Sequence, residues 1–124
     1  MNTRLAIIGA SYLQLPLIKR AKEMGIETHV FAWEKGAVGK NEADYFYPIS
    51  IIETERILKK CREINIDGIT SVASDLAIVT VNTIAGKLGL TGNSLRSTRL
   101  TTNKYLMRKR LRESGIKCPG FKKV

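Results

Sequence analysis

Short apolar runs alternate with amphipathic stretches along the first three quarters of this 124-residue chain. Residues 4–8 (RLAII) form an apolar run that stops at Gly9 and predict a buried strand. Over residues 13–24, Leu13, Leu17, Ile18 and Ala21 fall on one helical face, while Lys19, Arg20, Lys22 and Glu23 face water. Pro16 lies in or near the first turn, where its missing N–H costs little, and Gly25 supplies a left-handed residue to end the helix. Residues 27–33 (ETHVFAW) are rich in β-formers and predict a second strand. Residues 34–43 carry Gly36 and Gly39 and predict a loop. A short third strand over 45–48 belongs at a sheet edge, because Pro48 cannot donate to a ladder. Residues 53–64 predict an amphipathic helix that buries Ile57, Leu58, Cys61 and Ile64. After a turn at Asp67-Gly68, residues 69–73 predict a fourth strand and 76–88 a helix with little charge, mostly buried. GLTGN over 89–93 breaks it. Two further helices are predicted over 94–100 and 103–114, the second capped by Asn103 and stopped by Gly115 and Pro119.

This rhythm predicts an α/β fold with a mostly parallel four-stranded sheet, helices on both faces, and helices appended at the C-terminus. The expected strand order is 3-2-1-4. Ligands of such sheets bind beyond the carboxyl ends of the strands where the order reverses, here between the first and fourth strands. Two segments meet there: Gly9, Ala10, Ser11, Tyr12, Leu13 and Gln14 after the first strand, and residues 73–75, with Ser74 and Asp75, after the fourth. No internal repeat or low-complexity stretch interrupts the chain.

Composition narrows the class. Apolar residues make up 44% and charged residues 26%, which excludes a disordered or collagen-like chain. No apolar run approaches the roughly 20 residues needed to cross a bilayer. Two cysteines, Cys61 and Cys118, without a secretory signal predict free thiols in a reducing cytoplasm. The net charge of +10 is unevenly placed. Residues 1–86 are balanced, with 10 basic and 10 acidic side chains, while residues 87–124 hold 11 basic residues and only Glu113. An anion near the C-terminal third is the expected counterpart, whether nucleic acid, a phosphate ligand or an acidic protein surface.

The turn Gly9–Ala10–Ser11–Tyr12–Leu13–Gln14 stands where a dinucleotide fingerprint G-x-G-x-x-G would stand, but only its first glycine matches. The turn can offer amides to an anion, or it can be a plain strand-to-helix connection. Asp75 is most simply a helix N-cap; the functional alternative turns Ser74 or Asp75 into the crevice. A lone His29 excludes a histidine-rich metal site. Cys61 reads as core, Cys118 lacks a C-x-x-C partner, and Trp33 and residues 45–47 read as packing residues of strands. The basic helix over 103–112 has an apolar face too regular for a free arm, which points to a helix packed on the domain. Its first turn carries Lys104, placed against the helix dipole, as it would be if it served an anionic ligand.

Taken in order, these features resemble the amino-terminal, Rossmann-like domain of ATP-grasp enzymes (the pre-ATP-grasp domain), as in biotin carboxylase, the large chain of carbamoyl phosphate synthetase and purine-pathway ligases. IIGASYLQLPLIKRAKEMG is similar to the family's first strand, loop and helix, ADYFYPIS to its edge strand, and DGITSVASDLAIVTVNTIAGKLGLTGNS to its fourth strand, next helix and break. TNKYLMRKRLRESGIKCPGF is similar to the stretch that leads into the ATP-grasp fold. Tyr12 stands where some ribonucleotide ligases carry Glu or Gln, which argues against a ribonucleotide acceptor. Asn103 replaces the family's aspartate.

The resemblance implies an α/β domain over 1–93 and a helical connector over 94–124 leading into ATP-grasp lobes that this sequence does not contain. It implies a substrate-side domain of an ATP-dependent carboxylate–amine or carbamoyl-phosphate-type ligase, not catalytic alone. Gly9 to Gln14 with Ser74 and Asp75 would form a substrate crevice, and Lys104 would reach nucleotide phosphate. ATP and Mg²⁺ would act in the larger parent, whose partners would be a small carboxylate or amine. The apolar stretch 116–121 could drive a homodimer. Two rival readings remain: a basic α/β module that binds nucleic acid or an acidic partner, and an NAD-type nucleotide-binding domain.

Overall fold

Ala6, Ile7 and Ile8 have no exposed surface because their strand, β1 (Arg4–Ile8), lies between two others and is covered on both faces. The computed structural model describes residues 2–116. Pro119, Cys118 and most of the apolar stretch 116–121 lie outside the described residues. The elements that follow β1 are α1 (Leu15–Glu23), β2 (Glu27–Phe31), a 3₁₀ turn (Val38–Glu42), β3 (Tyr45–Tyr47), α2 (Thr54–Ile64), β4 (Gly68–Thr70), α3 (Asp75–Leu88), α4 (Leu95–Thr102) and α5 (Lys104–Glu113). The sheet has the order β3-β2-β1-β4, and every pairing is parallel. The expected order is therefore found, and "mostly parallel" becomes wholly parallel.

Side-chain alternation along the strands splits the core in two. On one face Ile7 and Val30 pack with Ile18 and Ala21 of α1. On the other, Ala6, Ile8 and Phe31 pack with Ile57, Leu58 and Cys61 of α2 and with Ala77, Val81 and Ile84 of α3. Burial pushes the Cys61 thiol up to about 12. His29 is buried on the edge side of this second layer. Its Nδ1 lies 2.8 Å from the Tyr47 hydroxyl and its Nε2 2.7 Å from the Glu27 carboxylate, and its ring stacks on Tyr45. A lone polar residue in a strand is thus fully satisfied by its neighbours.

Several predicted boundaries shift for local reasons. Helix α1 starts at Leu15, two residues later than expected, because the Ser11 carbonyl accepts from the Gln14 and Leu15 amides and holds 12–14 as a turn. Strand β2 ends at Phe31, so Trp33 is not a packing residue of a strand; it is 69% exposed. The predicted loop 34–43 contains the 3₁₀ turn. Strand β4 stops at Thr70 instead of running to Ala73, where the backbone enters the left-handed region at φ 59°. Ser74, not Asp75, caps α3: in extended conformation its Oγ accepts from the Ala77 amide at 3.2 Å, which leaves Asp75 as the first helical residue. In α3, Leu76 and Val79 are exposed, so the helix is less buried than its composition implied.

Helix α4 docks on α3 through Asn82, whose Nδ2 donates to the Thr98 hydroxyl at 2.8 Å while its Oδ1 accepts from the Asn93 amide at 3.2 Å. Helix α5 packs on α4, and none of its residues is buried. The regular apolar face read from the sequence is therefore only partly covered.

Candidate functional site: the crevice between β1 and β4

The parallel pairing of β1 with β4 brings their following turns side by side, as the strand order requires. Two cross-links hold them. The Ser71 hydroxyl donates to the Ile8 carbonyl. Gln14, only 4% exposed, spans the gap: its Nε2 donates to the Val72 carbonyl at 2.8 Å. Its Oε1 accepts from the Ser11 amide at 3.0 Å and from the Ser11 hydroxyl at 2.7 Å. Gly9 makes the arrangement possible. It sits at φ +101°, and a Cβ there would lie 2.9 Å from the Gln14 side chain.

A third segment closes the site. The 3₁₀ turn after β2 lies against the first turn, with the Gly39 amide donating to the Ala10 carbonyl at 2.9 Å. A Cβ at Gly39 would lie 2.6 Å from Ile18 Cδ1 and 3.3 Å from the Ala10 oxygen, so a larger residue would force the buried Ile18 side chain or the loop to shift. Between the three segments lies a cleft of about 290 Å³.

Of the residues expected at the crevice, Gly9, Ala10, Ser11, Leu13, Gln14 and Ser74 line this cleft. Tyr12 and Asp75 do not; both are exposed outside it. Trp33, Lys35 and Gly36 line the cleft from the β2 side and were missed in the sequence. The signal available was their position after a strand end, in the layer next to β1. Lys104 is exposed in the first turn of α5 and does not line the cleft. Asn103 caps that helix, its Oδ1 accepting from the Leu106 amide at 3.0 Å. Lys104 makes no hydrogen bond or ion pair with another described residue.

Two amides of the first turn are already engaged within the turn. A dinucleotide needs free amides there. The Ser11 amide is already bound to the Gln14 carbonyl oxygen, and the Leu13 amide donates to the Ser11 hydroxyl at 3.2 Å. Gln14 thus satisfies the Ser11 amide from within the turn.

No family model matches this sequence, and a search of curated proteins finds no match. Solved structures do match. Phosphoribosylglycinamide synthetase from Anaerococcus prevotii is 30% identical, with a TM-score of 0.79 over 93% of this chain and 30% of its own. The chain has the architecture of an ATP-grasp amino-terminal domain. L-amino acid ligase from Bacillus licheniformis shares this domain's fold at 22% identity, with a TM-score of 0.79 over 95% of this chain and 32% of its own. So does the biotin carboxylase domain of the Hydrogenobacter thermophilus 2-oxoglutarate carboxylase, solved with MgADP, ADP and bicarbonate (20% identity, TM-score 0.74, 93% and 28% coverage). The chain thus spans about 30% of the length of the solved proteins it matches.

Proposed function

We propose that this domain is the substrate-side part of an ATP-dependent ligase that joins a carboxylate to an amine or a related nucleophile. Residues 1–93 would form the sheet domain and 94–124 the connector to the nucleotide-binding lobes. The observation that carries this reading is the junction of the two turns: Gln14 bridges them and fixes one wall of a small cleft at the strand-order reversal. Ala73, a non-glycine residue held at φ 59° beside that wall, is the kind of backbone strain that gathers at binding sites.

Within the larger protein, the crevice residues would orient the acceptor, and Lys104 would bring one positive charge to a nucleotide phosphate. The described residues do not by themselves make a site for Mg²⁺. Among the described residues no group of three or more His, Cys, Asp or Glu could hold a metal. ATP, when bound by the parent, supplies a phosphoryl group to activate a carboxylate; this chain's residues bind and orient. The reading predicts that the purified 124-residue chain releases no ADP from ATP at enzyme-like rates. It also predicts that a parent containing this domain forms a hydroxamate when ATP, acceptor carboxylate and hydroxylamine are mixed. Steady ADP release by the short chain would overturn it.

A further inference from the structure

The cleft is chemically lopsided, and the imbalance identifies a ligand class. Among its lining residues only Lys35 carries a charge. Its neighbour Glu34 is paired instead with Lys40, at 2.6 Å. Lys35 has no ion pair with another described residue. Beside it stands Trp33, the only tryptophan in the chain, 69% exposed although it is the largest apolar side chain available for burial. The segment that carries both is not loose. The Gly39–Ala10 hydrogen bond anchors it, and the Lys40 ammonium lies 5.6 Å from the Phe46 ring centroid. The opposite wall, Gly9 and Ala10, offers little side chain, so a ligand can approach the strand ends closely.

We propose that this cleft binds a small aromatic carboxylate, with its ring against the Trp33 indole and its carboxylate on the Lys35 ammonium. This rests on the ligase reading above, and it names the acceptor's chemistry. A cationic ligand is disfavoured by Lys35. A nucleotide is disfavoured by the volume, about 290 Å³, at the lower bound of small-molecule sites. An indole face prefers a flat apolar partner, and an unpaired ammonium prefers a carboxylate, whose charge-assisted hydrogen bonds are the stronger kind.

The test follows the Trp33 indole N–H and the Gly9 and Ala10 amides of the 124-residue protein by two-dimensional NMR during titration. The probes are phenylacetate, phenylacetamide and acetate. Phenylacetate should shift all three signals saturably and bind about tenfold more tightly than either of the others, since each lacks one of the two interactions. Lys35→Gln should erase the preference for phenylacetate over phenylacetamide. Trp33→Ala, followed at the glycine and alanine amides, should erase the preference over acetate. Both side chains are exposed, so neither change threatens the fold. No saturable shift with phenylacetate, equal binding of acid and amide, or a preference that survives Lys35→Gln would overturn the assignment. None of these outcomes touches ADP release or hydroxamate formation, so failure of the ligand class and failure of the ligase reading remain separate results.

Discussion

Replacing Gln14 by alanine tests the junction on which the site depends. The side chain is almost fully buried and joins Ser11 to Val72 through two acceptor contacts and one donor contact. Each such hydrogen bond contributes about 1 kcal/mol net. Ser11 is half-buried and Val72 exposed, so water recovers part of the loss after truncation. The buried Cγ methylene adds about 1 kcal/mol. The expected cost is about 2–3 kcal/mol, large for a residue in a turn. Urea unfolding should show it as a lower midpoint with an unchanged slope. Hydrogen exchange should show the Ser11 amide losing protection while the β1 amides keep theirs. Gln14→Met keeps the volume and removes the polar contacts, so it should recover only the packing share. If Gln14→Ala unfolds within about 0.5 kcal/mol of the wild type, as a surface change would, the bridge does not hold the two turns.

Two further changes probe the neighbourhood. Gly39→Ala places a methyl 2.6 Å from Ile18 Cδ1 and 3.3 Å from the Ala10 carbonyl, and Ile18 is fully buried, so urea melts should show a loss of about 1–3 kcal/mol; unchanged stability would refute the close approach of the β2 loop. Cys61 supplies a pH signature: its thiol is pushed up to about 12 by burial, from an ordinary value of 9.0. Well below pH 9.0 the thiol is protonated in both states and its ionisation adds no pH dependence. Above that, the unfolded chain loses the proton that the folded chain keeps, so stability falls as pH rises, with a slope approaching about 1.4 kcal/mol per pH unit. Cys61→Ala lacks this term, so in a Cys118→Ser background its unfolding free energy should gain on that of the parent between about pH 9 and about pH 11. Parallel curves would mean that the thiol reaches water in the native state.

The sheet was legible because its signals are local and mutually consistent. RLAII and ETHVF are short β-forming runs that can be buried on both faces, α1 carries one apolar stripe, and parallel connections leave few strand orders. The crevice was legible to the extent that topology alone fixes it. The role of Gln14 was not. A glutamine in a turn carries no periodic signal, and its bond to Val72 spans 58 residues. Trp33 was read as packing because strand propensity does not register where a strand leaves its sheet. At Ser74 and Asp75 both residues can cap a helix, and only the extended backbone of Ser74 decides between them.

Gln14 and Trp33 have a common consequence. In a dinucleotide site, glycines leave amides bare so that a phosphate can complete them. Here Gln14 completes the Ser11 amide from within, and the turn no longer needs a ligand to satisfy it. Lys35 is the only charged residue that lines the cleft, and a ligand anion would meet it there. The same bridge joins the β1 and β4 turns, and the Gly39–Ala10 hydrogen bond ties the β2 loop to the first of them. With the Ser11 amide engaged by Gln14, the proposed ligand's selectivity would rest on the loop that carries Trp33 and Lys35. On this argument, exchanging those two side chains should alter which ligand is chosen, while altering Gln14 should weaken every ligand together.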